Sequence, residues 1–157
     1  RLTGAPRDFV MEHAYWGPGY GDGEIRSTLE RMGLAYRKSA DVATDAAALI
    51  AEGKIVGWFQ GRMEFGPRAL GSRSILADPT RPDMQDILNA RVKHREEFRP
   101  FAPSVLAERA EEYFEGCGAS PFMLFVHPVK AAMRERIPAV THIDGTARVQ
   151  TVEREVH

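Results

Sequence analysis

Glycine and proline divide this chain into short segments. Its 157 residues include 14 glycines and 10 prolines, two residue types that interrupt helices and strands. The longest apolar runs, residues 46–51 and 121–126, are far shorter than the ~18–20 residues that a membrane-spanning helix needs. The sequence therefore predicts a globular protein built from short elements, without a membrane span.

Apolar spacing assigns the segments between these breaks to helices and strands. Apolar residues at helical spacing that end near a glycine predict helices, and short β-rich runs between turn residues predict strands. The predicted helices cover residues 23–33, 44–52, 82–92 and 104–114, and the predicted strands cover residues 54–60, 74–77, 121–127 and 147–152. Ser104 is the predicted N-cap of the fourth helix. Because helices and strands interleave without a strict alternation, we expect an α/β fold in which helices cover a mixed β-sheet.

The first 22 residues differ in composition from the rest of the chain. They contain four glycines and two prolines, together with four aromatic residues that favour contact with a surface. This combination predicts an extended connector at residues 1–22, lying against a domain formed by residues 23–157.

Arginine dominates the basic residues, although the net charge is only −1. Of the 21 basic residues 17 are arginine, whose planar guanidinium suits two-point contacts to phosphate and carboxylate groups. A GC-rich genome would also enrich arginine. Eight basic and six acidic residues lie within residues 62–99. This stretch is the place where an anion would bind, whereas the overall charge does not favour a nucleic-acid-binding protein.

The loop at residues 61–73 is the first candidate site. Its glycines let the backbone approach a ligand and point N–H groups at an anion, and Arg62, Arg68 and Arg73 can flank the resulting concavity. The loop has neither a P-loop nor a dinucleotide-binding pattern. Glu64 could act as a base, but we expect it to pair with Arg62 or Arg68. A structural turn with solvated arginines is the alternative.

Residues 93–103 form the second candidate site, in which basic groups leave a helix and enter a proline-bounded segment. We expect Pro100 and Pro103 to fix the backbone and Phe98 and Phe101 to anchor it, which would preorganise a clamp for an anion. Cations at the end of a helix also interact favourably with its dipole, and this is the structural alternative. The basic or titratable groups of this segment are Lys93, His94, Arg95 and Arg99.

The third candidate site surrounds a turn that Asp144 and Gly145 predict. Thr141, His142 and Arg148 lie close to it in sequence. His142 oriented by Asp144 could serve as a general base, although a histidine in a turn more often only forms hydrogen bonds.

The remaining titratable residues exclude several kinds of site. The single cysteine, Cys117, excludes an intrachain disulfide and is typical of a protein of the reducing cytoplasm. It lies between glycines and is interpreted as a small loop residue rather than a nucleophile. Cysteine and the five histidines lack metal-ligand spacing, so no metal site is predicted.

The three segments together resemble one family. Residues 61–79 (GRMEFGPRALGSRSILADP), 87–108 (ILNARVKHREEFRPFAPSVLAE) and 137–152 (IPAVTHIDGTARVQTV) are similar in order and spacing to the C-terminal domain of the NodU/CmcH/TobZ carbamoyltransferases. Ser72 departs from the family pattern, which more usually has Asn or His there. The resemblance implies a twisted YrdC-like α/β domain, incomplete at its C-terminal end. This domain would make carbamoyl-adenylate from carbamoyl phosphate and ATP.

The resemblance also implies partners and cofactors. A separate N-terminal domain with a bound iron would transfer the carbamoyl group to a hydroxyl acceptor, and residues 1–22 would connect that missing domain to residues 23–157. Mg²⁺ would accompany ATP without a dedicated protein cage. A homodimer is one candidate oligomeric state. The alternative to a catalytic domain is a nucleotide- or double-stranded-RNA-binding module.

Matching positions in the family imply individual roles. Lys93 and Arg99 would bind phosphate and carbamoyl oxygens, and Arg68 would bind carbamoyl phosphate, as the catalytic set. Arg148 would bind the α-phosphate of ATP. The other residues expected at the nucleotide site are Arg95, Thr141, His142, Ser74 and His94.

Overall fold

Short helices and strands alternate along the chain in a computed structural model that describes residues 8–96 and 98–154. The helices are α1 (Asp22–Arg31), α2 (Val42–Ala51), α3 (Met84–Leu88), α4 (Ala110–Tyr113) and α5 (Ala131–Arg134). The strands are β1 (Val56–Phe59), β2 (Arg73–Leu76), β3 (Ser104–Leu106), β4 (Val126–Pro128), β5 (Thr146–Arg148) and β6 (Gln150–Val152). A π-helical turn at Asn89–Lys93 extends α3, and 3₁₀ turns lie at Ala107–Arg109 and Pro138–Val140. None of the helices in these residues is long and apolar enough to cross a membrane.

The strands pair in both orientations, which confirms the predicted α/β class. β1 pairs antiparallel with β2, from Val56 opposite Leu76 to Phe59 opposite Arg73. β3 runs parallel to β6, and β4 runs antiparallel to β5. Within the described residues these are three two-stranded sheets. Only Val149 separates β5 from β6, so the chain passes directly from one pair into the next.

The main apolar core lies around the junction of β5 and β6. Ala147 and Val149 are fully buried there, and Phe114, at the end of α4, is 1% exposed. The other buried members of this cluster are Ala110, Cys117, Val129, Ile137 and Val140. Burial of apolar surface at this junction holds β5 in place, and β5 carries Arg148.

Two sequence predictions about local structure are wrong. Ser104 does not cap a helix: it begins β3, and its hydroxyl donates to the Gln150 side chain at 2.8 Å. Pairing with β6 therefore overrides the local helical pattern, and the α-helix is confined to α4. The strand predicted at residues 121–127 begins only at Val126, because residues 121–123 form a turn in which Met123 has a φ of 51°.

The segment before α1 lies along the loop that follows β1. The Gly17 N–H donates to the Met63 carbonyl at 2.9 Å, the Met63 N–H donates to Pro18, and the Phe65 N–H donates to Ala14. These hydrogen bonds attach residues 14–18 to that loop, and the assignment of residues 1–22 to a connector stays a prediction. The described part of this segment begins at residue 8; residues 1–7, 97 and 155–157 lie outside the described residues, and the predicted boundary at residue 22 stays a prediction.

Candidate functional site

A cleft of about 600 Å³ lies where the three candidate segments meet. Arg68 comes from the first segment, Lys93 and Arg95 come from the second, and Arg148 comes from the third. Ser74 on β2 also lines the cleft, and its hydroxyl accepts a hydrogen bond from the Gly71 N–H at 3.0 Å. Among the lining residues that the structure describes there is no Asp or Glu.

Arg148 is the cation of the cleft with a buried Nε that lacks a hydrogen-bond partner among the described residues. It lies in β5 opposite Val126 and is partly buried. Burial lowers the pKa of the Arg148 guanidinium, and the nearby charges of Arg68 and Arg95 lower it further. An anionic oxygen in the cleft would supply both the missing acceptor and the opposite charge.

Arg95 is held in place by the π-helical turn. Its Nε donates to Asn89 Oδ1 at 2.8 Å, and its guanidinium carbon lies 4.6 Å from the centre of the Phe101 ring. Asn89, which accepts this hydrogen bond, is only 1% exposed. Phe101 therefore anchors the segment as predicted. The expectation that Phe98 also anchors it is wrong, because Phe98 is 80% exposed.

No carboxylate of the described residues forms an ion pair with any of these four cations. The ion pairs of the described residues involve other basic side chains: Arg37, Lys38, Arg73, Arg81, Arg99, Arg109 and Arg154. Cations gathered without counter-charges repel one another, and a polyanionic ligand would relieve that repulsion.

Of the three arginines predicted to flank the first loop, only Arg68 reaches the cleft. Arg62 donates to the backbone carbonyls of Gly17 and Trp16 at 2.9 and 3.0 Å. Arg73 forms an ion pair with Glu64 at 3.0 Å. The expectation that Glu64 pairs with Arg62 or Arg68 is therefore wrong, because the turn at residues 65–72 brings Arg73 back to Glu64.

Four predicted site residues lie outside the lining of the cleft. Arg99 forms an exposed ion pair with Glu96 at 3.7 Å. His94 is exposed and has a left-handed backbone with a φ of 48°. The Thr141 hydroxyl donates to the Ile137 carbonyl at 2.9 Å. The fourth residue is His142. The roles proposed for these residues stay predictions.

His142 and Asp144 occupy the predicted turn but do not form a hydrogen-bonded dyad among the described residues. The His142 N–H donates to the Thr146 carbonyl at 2.8 Å, and Asp144 Oδ1 accepts from the Thr146 N–H and hydroxyl. The two hydrogen bonds from Thr146 lower the pKa of Asp144, and the nearby His142 lowers it by a smaller amount. Gly145 permits the turn with a φ of 77°. Asp144 thus stabilises the turn that leads into β5 and Arg148.

Cys117 is 4% exposed and lies in the main core. Burial raises the pKa of its thiol, as does the charge of Glu111 to a smaller extent. A raised pKa leaves little thiolate, which agrees with the interpretation that Cys117 is not a nucleophile. Nowhere in residues 8–96 and 98–154 do three or more His, Cys, Asp or Glu side chains gather to hold a metal ion.

Sequence reasoning missed Asn89, the residue that orients Arg95. An asparagine among the apolar positions of a predicted helix was the available signal, since a buried polar side chain must find a partner. That partner lies six residues along the chain, beyond the end of α3, and helical periodicity does not predict it.

The fold and the cleft define an α/β domain with a cationic site assembled from three segments. The profile of the family described as carbamoyltransferase C-terminus matches residues 47–157, and the chain belongs to this family. The resemblance seen in the three sequence motifs is thereby confirmed.

Relatives of the chain include nodulation proteins. Nodulation protein NolNO of Sinorhizobium fredii is 51% identical over 159 residues, which cover 98% of this chain and 23% of that protein. Nodulation protein NolO of Bradyrhizobium diazoefficiens is 49% identical over 160 residues, covering 98% of this chain and 29% of that protein. Nodulation protein U of Azorhizobium caulinodans is 50% identical over 119 residues, covering 76% and 21%. The chain spans about a quarter of the length of these curated relatives.

Proposed function

We propose that the cleft binds ATP and carbamoyl phosphate and forms carbamoyl-adenylate as one half of a carbamoyltransferase reaction. The observation that carries the proposal is the gathering of Arg68, Arg95 and Arg148 around one cleft whose described lining contains no acid. The family match supports the reaction type. Both substrates are polyanions, and their phosphate groups suit guanidinium donors.

The proposed reaction balances in two steps. Water cleaves carbamoyl phosphate to carbamate and inorganic phosphate. A carbamate oxygen then attacks the α-phosphorus of ATP, a bond from this oxygen to phosphorus forms, and pyrophosphate leaves with the electrons of the broken P–O bond. Negative charge accumulates on phosphoryl oxygens during the attack, and fixed cations stabilise it most where water is excluded.

The cationic residues of the cleft are assigned to different groups of the two substrates. Arg148, with its unpartnered Nε, would bind the α-phosphate, and Arg68 would bind carbamoyl phosphate. Lys93 would reach phosphate and carbamoyl oxygens from the end of the π-helical turn. Because no described carboxylate lines the cleft, Mg²⁺ would be held through the phosphate oxygens of ATP and water.

The last step of the proposed reaction transfers the carbamoyl group to an acceptor. We propose that carbamoyl-adenylate donates its carbamoyl group to a hydroxyl acceptor and releases AMP. The curated relatives are about four times as long as this chain, and the acceptor site is proposed to lie in the part of such a protein that this chain does not represent.

Binding and exchange measurements test the proposal. Calorimetry should show that the chain binds ATP, and the Lys93→Ala variant should bind about tenfold more weakly, a change of about 1.4 kcal/mol. Lys38→Ala is the matched control, since Lys38 is exposed and pairs only loosely with Asp22 at 3.6 Å. Labelled pyrophosphate should exchange into ATP only when carbamoyl phosphate is present. A folded chain that neither binds ATP nor supports exchange would contradict the proposal.

A further inference from the structure

Glu64 is a buried carboxylate at the base of the loop that carries Arg68. Its side chain is fully buried. Oε1 accepts hydrogen bonds from the backbone N–H groups of Leu70 at 2.6 Å, Ser72 at 2.8 Å and Arg73 at 3.3 Å. Oε2 accepts from Arg73 Nε at 3.0 Å. One side chain therefore accepts hydrogen bonds from three backbone N–H groups and a guanidinium.

These bonds close the loop on both sides of Arg68. Glu64 precedes the loop at residues 65–69, and the amides that it binds follow that loop. Two further side chains donate hydrogen bonds to the Leu70 carbonyl: Gln150 Nε2 at 2.8 Å and the Tyr15 hydroxyl at 3.0 Å. Phe65, within the loop, is 77% exposed. The loop thus has little apolar packing of its own, and its shape depends on the anchoring at Leu70.

Glu64 also decides which arginine faces the cleft. Arg73 directs its Nε to Glu64 Oε2 and a terminal nitrogen to the Glu64 carbonyl at 3.2 Å, and it does not line the cleft. Burial opposes ionisation of Glu64, but its hydrogen bonds outweigh burial and hold the pKa of the carboxyl below its usual range. Glu64 is therefore charged at neutral pH and neutralises Arg73, whereas Arg68 forms no ion pair with any described carboxylate.

We propose that Glu64 is a positioning residue for anion binding, which holds Arg68 at the cleft through the Leu70 and Ser72 amides and retains Arg73 outside it. This inference rests on the proposed function, because the anion whose affinity it controls is carbamoyl phosphate, the ligand proposed for Arg68. Glu64 itself does not touch the ligand, so its effect on affinity must pass through Arg68.

A double-mutant cycle measures that dependence. The Glu64→Gln change keeps the size of the side chain, but it removes the charge. It also replaces one accepting oxygen by an N–H₂ group, which faces other hydrogen-bond donors. The Glu64→Gln variant should bind carbamoyl phosphate about tenfold more weakly by calorimetry, equivalent to about 1.4 kcal/mol. In an Arg68→Gln background, the same change should weaken binding by less than about twofold. Glu108→Gln is the matched control, because Glu108 forms an exposed ion pair with Arg154.

The possible outcomes separate this inference from the proposed function. No binding of carbamoyl phosphate by the unmodified chain would overturn both. If Glu64→Gln leaves binding unchanged, this inference alone is overturned. An equal loss of affinity with and without Arg68 would also overturn it, because that loss would reflect a general change of structure rather than positioning.

A measurement on the unmodified chain covers the case in which Glu64→Gln does not fold. If the anchored loop favours the anion, the anion must favour the anchored loop by the same factor. Saturating carbamoyl phosphate should therefore slow hydrogen exchange at the Leu70 and Ser72 amides, although neither residue lines the cleft. Exchange at these amides that carbamoyl phosphate does not change would overturn the inference.

Discussion

Arg148 combines partial burial, two like-charged neighbours and an Nε that has no partner among residues 8–96 and 98–154. An ion held in this way destabilises the ligand-free protein, and an apolar side chain of similar length should relieve the repulsion. We expect Arg148→Met to raise the free energy of unfolding by about 1 kcal/mol, which corresponds to a rise in Tm of about 2–4 °C. The same variant should bind ATP at least about tenfold more weakly.

Thermal unfolding and calorimetry of Arg148→Met check both effects together. Arg154→Met is the control, because Arg154 is exposed and forms an ion pair with Glu108. It should change neither ATP affinity nor, beyond about 0.5 kcal/mol, stability. A lower Tm for Arg148→Met together with unchanged ATP binding would contradict the interpretation of Arg148 as a ligand-binding group that lacks a structural partner.

Single residues also show where sequence reasoning about the site stops. Arg68 and Arg148 could be assigned to a site from their motifs, and the structure places both at the cleft. The partner of Glu64 could not be predicted, since Arg62, Arg68 and Arg73 have equivalent charges and only the path of the turn selects Arg73. The hydrogen bond from Arg95 to Asn89 could not be predicted either, because it depends on the path of the chain after α3.

At the scale of elements, the segment between α5 and β5 packs against the main core. Ile137 is 8% exposed and belongs to that cluster, whereas Ile143, at the following turn, is fully exposed. Removing one methylene from Ile137 leaves a small cavity, so Ile137→Val should lower the free energy of unfolding by about 0.5–1.5 kcal/mol. Ile143→Val is the same chemical change in solvent and should stay within about 0.5 kcal/mol. Chemical denaturation measures both, and equal losses would contradict the assigned core.

The elements that the sequence predicted well are those with local signals. α1 and α2 lie within two residues of their predicted starts, and β1 and β2 lie close to their predicted positions. The segment beginning at Ser104 has a helical pattern, but its pairing with β6 is a contact between residues 46 positions apart. Local periodicity carries no information about such a contact, and the strand outweighs the helix there.

At the scale of the molecule, the cleft draws its cations from positions 80 residues apart in a chain whose net charge is −1. The sequence could predict three candidate segments for anion binding, because arginine together with glycine or proline marks each one. It could not predict which side chains share one cleft, since that depends on how β2, the π-helical turn and β5 come together. Arg99 and His142, which share those segments, lie outside its lining.

This distribution of charge leads to a prediction about salt. The attraction between the cleft and ATP is screened as the Debye length falls from about 10 Å at 0.1 M salt to about 3 Å at 1 M. ATP affinity should therefore fall several-fold between these concentrations, whereas the binding of uncharged adenosine, used as the control, should change little. Duplex RNA should not bind measurably, because a nearly neutral chain displaces few counterions. Calorimetric titrations along a salt series decide the matter: salt-independent ATP affinity would contradict a cationic site, and steeply salt-dependent RNA binding would favour a nucleic-acid-binding module instead.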